Sequence, residues 1–381
     1  MLTLFRIEIL DLEIPFRFTF RHALAARSKG HSVLVRASDR DGRVGWGECV
    51  PRPYVTRESP DSVRSALREI LVPQFLGCSF ATFAEVAGAL ESRLMDLPAK
   101  KHAAWCALEL ALLDLAGRVF ARSAGEELVG PLVAGEVAYS AVVSADSLDA
   151  SVATLREIQR SGFEKVKLKV GLGRDQDLRL LAEARAILGE ACGLRIDANC
   201  AWAVEEALAM LEAFLPFRLE SVEQPVAADD IEGLAWLTAR SPIPVIVDES
   251  LASKRDARRL IDRGACHGFN IRISKCGGLI GSVRLRDLAR SAGIGYQLGA
   301  QVGETALLSA AGRQFATRSS GMLACEGSYG RVLLEADIGI QDITVGRGGK
   351  APALSGPGLG VDVDPERVAR YTTGRFVLGG N

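Results

Sequence analysis

Between residues 137 and 326 the chain alternates short β-rich runs with segments long enough for one helix each. The eight runs cover residues 137–143, 166–170, 194–197, 219–223, 245–248, 269–273, 294–298 and 323–326. Each connection is too long for a hairpin and long enough for a right-handed crossover to a parallel strand. Strands separated by single helices in this way are typical of a closed parallel barrel. We therefore predict an α/β chain in which residues 131–345 form such a barrel.

The flanking parts of the chain have different patterns. Up to about residue 50, apolar and polar residues alternate as they do in strands, and Asp41-Gly42 predicts a turn within a small antiparallel sheet. From residue 61 to 122, apolar residues recur at three- and four-residue steps, which indicates helices. The segment 346–381 begins with turn-rich sequence and looks like a return toward the N-terminal part. We expect residues 1–130 to form an α+β unit.

The charge balance and the cysteine pattern exclude several classes of protein. The 381 residues include 46 Lys and Arg against 47 Asp and Glu, which gives a formal net charge of −1. Nucleic-acid and membrane-surface binders normally carry a basic excess, and no apolar stretch approaches the roughly 18 residues of a membrane span. The 8 cysteines include no CxxC pair, which favours free thiols in a reducing compartment. We expect a cytoplasmic homo-oligomer with no nucleic-acid and no membrane partner.

Charged side chains lie at the ends of successive runs in the predicted barrel, or just beyond the end in the case of Lys275. They are Lys169, Asp197, Glu223, Asp248 and Lys275, at steps of 28, 26, 25 and 27 residues. A βα unit of that length returns the chain to the same face of a barrel, so these charges converge on the mouth where barrel active sites lie. Three carboxylates on consecutive strands form a hard oxygen site suited to Mg²⁺, with Mn²⁺ as an alternative ion. A lone strand-end acid is usually a helix cap, but a series in register is hard to obtain that way.

Five short motifs lie at these strand ends: Lys167-Leu168-Lys169, Asp197-Ala198-Asn199, Glu223-Gln224-Pro225, Asp248-Glu249-Ser250 and Ser274-Lys275-Cys276-Gly277-Gly278. Together they resemble the enolase superfamily, and within it the muconate-lactonizing-enzyme subgroup of the mandelate racemase/muconate lactonizing enzyme family. Residues 42–48, 107–118 and 354–361 are also similar to family segments, so the resemblance extends over nearly the whole chain. It implies a TIM-like (β/α)7β barrel under an α+β capping domain formed from the N-terminal part and the C-terminal tail.

The resemblance also implies a role for each of these side chains. The Mg²⁺ ligands of the family are matched by Asp197, Glu223 and Asp248. Glu249 is the alternative to Asp248 as the third ligand, but it lies one residue further on and should point away, so we favour Asp248. The two acid/base lysines on opposite faces of the substrate are matched by Lys169 and Lys275. The neighbouring lysine that helps to hold charge on the substrate oxygen is matched by Lys167. Further candidates for stabilising the substrate or its enolate are Asn199 and Glu326.

A site of this kind removes the proton α to a carboxylate and stabilises the resulting enediolate. With a lysine on each face, the proton can leave one face and return on the other, which predicts a racemase or epimerase of an amino-acid derivative. The alternative is a lyase or cycloisomerase on the same scaffold, either a dehydratase or a muconate-type lactonising enzyme. A catalytically silent binding module is a third hypothesis, and the intact set of charged positions counts against it.

The substrate is indicated less directly. Cys325-Glu326-Gly327 departs from the Asp-x-Asp pattern with which dipeptide epimerases hold an ammonium group. Glu326 resembles instead the glutamate at the equivalent strand end of cycloisomerases, although a single acidic residue can also pair with an amine. Residues 18–29 and 51–58 correspond to the loops that close over the barrel mouth in this family. The candidate lid residues over a small carboxylate substrate are therefore His22, Tyr54 and Arg57.

Overall fold

The computed structural model describes residues 1–22, 25–144 and 147–380. Its N-terminal part is an antiparallel sheet built on the predicted alternation, and the Asp41-Gly42 turn joins its second and third strands. The strands are β1 (Leu2–His22), β2 (Ala25–Asp39), β3 (Val44–Cys49) and the short β4 (Ser79–Phe80), which pairs with the start of β1.

Helices cover one side of this sheet. They are α1 (Pro60–Ala66), α2 (Phe83–Leu94), α3 (His102–Phe120) and α4 (Ala124–Leu128). A π-helical turn (Leu67–Leu71) and short 3₁₀ turns (Val72–Gln74, Ala99–Lys101) link them. Every residue of α3 from His102 to Gly117 is buried, because the helix lies between the sheet and the barrel.

The barrel follows in chain order. Within the described residues, its parallel sheet contains seven strands, and consecutive strands are neighbours. The strands are β6 (Ala141–Val143), β7 (Lys165–Lys169), β8 (Gly193–Asp197), β9 (Ser221–Glu223), β10 (Val245–Val247), β11 (Gly268–Arg272) and β12 (Gly295–Gly299). This order confirms the predicted parallel barrel.

One helix follows each barrel strand, as the spacing of the runs predicts. The helices are α5 (Leu148–Ser161), α6 (Arg174–Leu188), α7 (Val204–Ala213), α8 (Ile231–Thr238), α9 (Lys254–Asp262), α10 (Gly278–Ser291) and α11 (Ala306–Ala316). A 3₁₀ turn (Leu215–Phe217) follows α7. Within the described ranges, none of the helices is long and apolar enough to cross a membrane.

The first and last predicted runs differ from the other barrel strands. The run 137–143 is divided, because β5 (Glu136–Ala138) pairs antiparallel with β13 (Lys350–Pro352) before β6 enters the barrel. The last run contributes a parallel bridge between Cys325 and Leu298 of β12. The Ser140 amide donates to the Cys325 carbonyl at 2.7 Å, so this segment closes the ring between β12 and β6.

The C-terminal segment returns to the N-terminal sheet. The remaining elements are α12 (Gly330–Leu333), a 3₁₀ turn (Arg347–Gly349), α13 (Pro365–Tyr371) and β14 (Thr372–Gly379). β14 pairs antiparallel with β1, with Ile7 opposite Leu378. The sheet order is therefore β14-β1-β2-β3, and both ends of the chain contribute to it.

Buried carboxylates of the N-terminal part hold two barrel helices. Glu109 of α3 accepts hydrogen bonds from the backbone amides of Leu279 and Ile280 at the start of α10, each at 2.8 Å. Glu48 of β3 accepts from the amide and hydroxyl groups of Thr305 at the start of α11. Burial raises the pKa of Glu109 to about 8 and that of Glu48 to about 7. These contacts fix the N-terminal part over the barrel.

Close packing of β3 on α3 gives a stability prediction. A Cβ atom at Gly47 would lie 2.1 Å from the carbonyl oxygen of Ala107 and 2.5 Å from the amide nitrogen of Ala111, and these backbone atoms have little room to move. We expect Gly47→Ala to lower the free energy of unfolding by about 3 kcal/mol, measured by urea denaturation.

The matched control is Gly88→Ala in α2, where a new Cβ meets no atom within 4 Å. This change should leave stability unchanged or raise it by about 0.5–1 kcal/mol, since Ala favours the helix over Gly. Equal stability of the two variants would contradict the packing of β3 against α3.

Candidate active site

The parallel register brings charged strand ends to one mouth of the barrel. Lys169 ends β7, Asp197 ends β8 and Glu223 ends β9, and their Cα atoms are paired in register across the three strands. Asp248 follows β10 directly, and Arg272 ends β11. All of these side chains are buried. The structure therefore brings together the three predicted metal ligands and the first predicted lysine.

Lys169 lies at the wall of a cavity in this mouth. Its Nζ is 2.5 Å from Oδ2 of Asp197 and 2.9 Å from Oδ1 of Asn199. Burial raises the pKa of the Asp197 carboxyl, but the charges of Lys169 and Lys167 outweigh burial and hold that pKa below its usual value. Asp197 is therefore an ionised carboxylate, and Asn199 fixes the amine of Lys169 from a second side.

Lys167 lies deeper, on the same face of β7, because alternate residues of a strand share a face. Its Nζ is 2.7 Å from Oε2 of Glu326 and 3.2 Å from Oε2 of Glu223. Burial lowers the pKa of Lys167, but Glu223, Glu326 and Asp197 together outweigh burial and raise it above its ordinary value. Lys167 is therefore a permanent buried cation at the base of the cavity.

Glu326 is held between two buried cations. Its Oε2 accepts from Lys167, and its Oε1 accepts from Nη2 of Arg195 at 2.9 Å. Arg195 also donates to Gln297 and to Ser140, at 2.9 Å each. Burial raises the pKa of Glu326, but the two cations outweigh it and lower that pKa below its usual value. Arg195 is not among the site residues predicted from the sequence. The signal that could have indicated it is a charged residue two positions before the end of a central barrel strand.

Lys275 lies in the turn after β11, behind Asp248. Its Nζ is 2.6 Å from Oδ1 and 2.5 Å from the carbonyl oxygen of Asp248, and 3.3 Å from the carbonyl oxygen of Asn270. These oxygens provide one acceptor for each of the three ammonium protons. The side chain is 0% exposed and is not among the residues that line the cavity of Lys169. The structure therefore does not bring the two predicted acid/base lysines into one cavity.

Arg272 occupies the strand-end position that the sequence analysis gave to Lys275. Its Nη2 donates to Oδ2 of Asp248 and, at 3.4 Å, to Oε1 of Glu223. Arg272 also lines the cavity. It follows Asp248 by 24 residues, and alternation within the run 269–273 puts it on the same inward face as Asn270. This alternation, rather than the step length, was the signal that could have identified it.

The acidic groups of the mouth match a divalent cation in donor type. In the structure of residues 1–22, 25–144 and 147–380, no three His, Cys, Asp or Glu side chains are arranged so that they could hold a metal ion. The oxygens of Asp197, Glu223 and Asp248 face lysine and arginine nitrogen atoms instead.

Glu249 adds a further carboxylate to this set. Burial, together with the charges of Asp248 and Asp197, raises the pKa of Glu249 to about 8. Its buried Oε2 has no hydrogen-bond partner within the part of the chain that the structure describes. An unpartnered buried oxygen beside three hard oxygen donors fits an additional cation of the Mg²⁺ type.

The three predicted lid residues do not lie together at the cavity. Tyr54 lines the cavity, and its hydroxyl oxygen is 3.4 Å from Nε and Nη2 of Arg27, another lining residue. Arg57 does not line it: its backbone has a φ of 62°, and its side chain lies 4.0 Å from Asp256 in a separate cleft. The prediction for Arg57 is therefore not supported by its position. His22 ends β1, and its side chain lies outside the described part of the structure.

Family profiles match most of the chain. Residues 6–130 match the profile "Mandelate racemase / muconate lactonizing enzyme, N-terminal domain", and residues 150–368 match "Enolase C-terminal domain-like". The chain is 30% identical over 362 residues to the L-Ala-D/L-Glu epimerase of Bacillus subtilis (strain 168), a match that covers 93% of this chain and 96% of that protein.

Solved structures of two activities resemble this fold over nearly its full length. The dipeptide epimerase from Cytophaga hutchinsonii, complexed with Mg and the dipeptide D-Ala-L-Val, has a TM-score of 0.89 at 25% identity, covering 99% of this chain and 100% of that one. The 2-chloromuconate cycloisomerase from Rhodococcus opacus 1CP has a TM-score of 0.89 at 26% identity, covering 98% and 100%. The chain belongs to the mandelate racemase/muconate lactonizing enzyme family of the enolase superfamily.

Proposed function

We propose that this chain is a Mg²⁺-dependent isomerase that removes the proton α to the carboxylate of a small substrate. The observation that carries the proposal is the position of Lys169. Its amine lies at the cavity wall between Asp197 and Asn199, beside further carboxylates suited to a divalent cation. A carboxylate substrate in this cavity presents its α-carbon to a lysine base and its oxygens to cations.

The chain's own residues divide the work of proton removal. To take the α-proton, Lys169 must first give up the proton that it donates to Asp197, and its two polar neighbours hold the amine in one orientation. Lys167, a buried cation, stabilises the negative charge that moves onto the substrate oxygens. Because that charge develops only as the proton leaves, its stabilisation lowers the barrier instead of only tightening substrate binding.

Asp197, Glu223 and Asp248 would hold the Mg²⁺ ion. Their hard oxygen atoms, the unpartnered oxygen of Glu249 and the Mg-containing structure of the Cytophaga relative support this assignment. When bound, the ion supplies a Lewis acid that offsets charge on the substrate carboxylate. Arg272 must then release the oxygens of Glu223 and Asp248. We propose Mn²⁺ as a substitute, because it accepts the same oxygen ligands.

Racemisation or epimerisation of an amino-acid derivative is the first candidate for the overall reaction. The similarity to the Bacillus L-Ala-D/L-Glu epimerase and the Cytophaga dipeptide epimerase supports it. Inversion requires a proton donor on the face opposite Lys169, and the sequence analysis proposed Lys275 for this role.

Cycloisomerisation or elimination is the second candidate, favoured by a different observation. Arg272 ends β11 and lines the same cavity as Lys169. The charged group at this position is therefore a guanidinium instead of a lysine amine. These reactions need one base, while the opposite group only holds charge. The Rhodococcus cycloisomerase supports this reading.

The setting of Glu326 bears on the substrate class. Both of its oxygens already accept from Lys167 and Arg195, so it is not free to hold a substrate ammonium group. Arg27 instead adds a cation to the cavity wall near Tyr54. We therefore favour substrates whose nitrogen is acylated or absent over free amino acids.

The role of Lys169 predicts the loss of α-proton exchange. In D₂O with Mg²⁺, Lys169→Ala should reduce deuterium incorporation into N-acyl amino acids, dipeptides or muconolactones by about 10³-fold, measured by NMR. The matched control is Lys165→Ala, since Lys165 lies on the same strand but is half-exposed and pairs with Glu220. Undiminished exchange in the Lys169 variant would exclude it as the base.

The metal assignment predicts a binding defect. Glu223→Gln should weaken Mg²⁺ binding at least about tenfold in titration calorimetry, because a charged oxygen donor is lost. Glu220→Gln serves as the control, since Glu220 is half-exposed near the other end of the strand. The same affinity in both variants would remove Glu223 from the site.

The buried charge pairs of Glu326 predict a loss of stability. Glu326→Gln should lower the free energy of unfolding by about 3 kcal/mol, because Lys167 and Arg195 lose the negative charge between them. The exposed Glu335 gives the control variant Glu335→Gln, which should unfold like the unaltered chain. A stable Glu326 variant would mean that this carboxylate does not hold the two cations.

A further inference from the structure

Lys169 and Arg272 lie on opposite sides of the barrel mouth. They end β7 and β11, which are four strand positions apart in a ring that the described residues form from seven strands and the bridge at Cys325. Both side chains line the same cavity. A substrate that presents its α-proton to Lys169 therefore presents its other face to the side on which Arg272 lies.

Lys275 is badly placed for this second face. All three of its ammonium protons have oxygen acceptors on Asp248 and Asn270, and its side chain is 0% exposed. To reach the substrate it would have to break all of these contacts with Asp248 and Asn270. Arg272 already lies at the cavity wall, and its buried Nε has no hydrogen-bond partner within residues 1–22, 25–144 and 147–380.

We propose that Arg272, not Lys275, meets the substrate on the face opposite Lys169, and that it acts there as a permanent cation and not as a second base. A guanidinium group stays protonated in proteins, so it cannot accept a carbon-bound proton as a lysine amine can. Because the side chain lines the cavity, its positive charge can stabilise a negatively charged substrate oxygen instead. This inference rests on the proposed α-proton abstraction, specifies its stereochemistry and favours the second candidate reaction over racemisation.

The proton balance then involves one face. The amine of Lys169 takes the α-proton and becomes an ammonium group, while the electron pair of the C–H bond passes into the enediolate. In D₂O the ammonium group exchanges with solvent and returns a deuteron to the same face, which regenerates the C–H bond as C–D and the neutral amine. On the opposite face, Arg272 does not deliver a proton at a comparable rate, because a guanidinium group stays protonated. Exchange with retained configuration must therefore outrun inversion.

The test compares exchange with inversion in the wild-type enzyme. Both configurations of N-acyl amino acids, dipeptides and muconolactones are incubated with Mg²⁺ in D₂O, and deuterium content and configuration are followed by NMR and chiral chromatography. We expect one configuration to incorporate deuterium at least about 100-fold faster than it inverts, and the other to exchange at least about 100-fold more slowly. Inversion that keeps pace with exchange would overturn the proposal.

Two variants separate the role of Arg272 from its effect on folding. Arg272→Lys supplies an amine on the second face and should raise exchange of the slow configuration about tenfold or more, whereas Arg272→Met should not. The thermal midpoint and Mg²⁺ affinity of both variants control for folding, and the wild-type comparison stands if neither folds. A Lys variant that folds and binds Mg²⁺ but shows no gain would count against Arg272 as the opposing group.

Failure of this inference differs from failure of the proposed function. If both configurations exchange and invert at equal rates, and Lys169→Ala abolishes exchange, α-proton abstraction stands and only the single-face assignment is lost. If no substrate exchanges in the wild type, the proposed function fails and the assignment of Arg272 fails with it.

Discussion

Neutralising buried charge is the constraint on which the barrel mouth depends. A carboxylate taken out of water is very costly unless a cation lies beside it, and here every acidic group contributed by β8 and β9 meets a lysine or arginine from another barrel strand. Lys167 alone contacts Asp197, Glu223 and Glu326, which come from three different parts of the barrel. These ion pairs therefore fix the strand ends relative to one another. The same carboxylates could also exchange their lysine and arginine partners for a divalent cation.

The N-terminal part is attached to this mouth by buried carboxyl groups that meet helix N-termini. Glu109 and Glu48 accept hydrogen bonds from the first amides of α10 and α11, which have no partner within their own helices, although burial raises the pKa of these carboxyl groups to about 8 and about 7. The helices that follow β11 and β12 are thus tied to the sheet that carries Tyr54 over the cavity. Cap and barrel share their polar interior, which explains why the cavity lies at their junction.

The fold was largely predictable because β-rich runs and helix-length segments alternate at a regular spacing, and each can be identified from its own local sequence. Asp197, Glu223 and Lys169 were predictable for the same reason, since each ends a run. The residue on the opposite side of the cavity was not predictable in this way. The step length between charged residues cannot distinguish a strand end from the turn beyond it, and Lys275 lies three residues past Arg272. The pairing of Glu326 with Arg195 was also hidden, because the partners are 131 residues apart and meet only when the ring closes. Arg57 lies in a separate cleft, and its backbone has a left-handed conformation that could not be predicted from its residue type.

The pairing of β1 with β14 has a consequence for how the chain reaches this structure. During synthesis β1 and β2 can form a hairpin at once, and each barrel strand can dock on the one before it. One edge of β1, however, has no partner until β14 emerges, so a long unpaired strand edge persists while the whole barrel is being made. Ribosome-bound intermediates should thus expose that edge to chaperones or to other nascent chains, and the last step of assembly is the one that seals it.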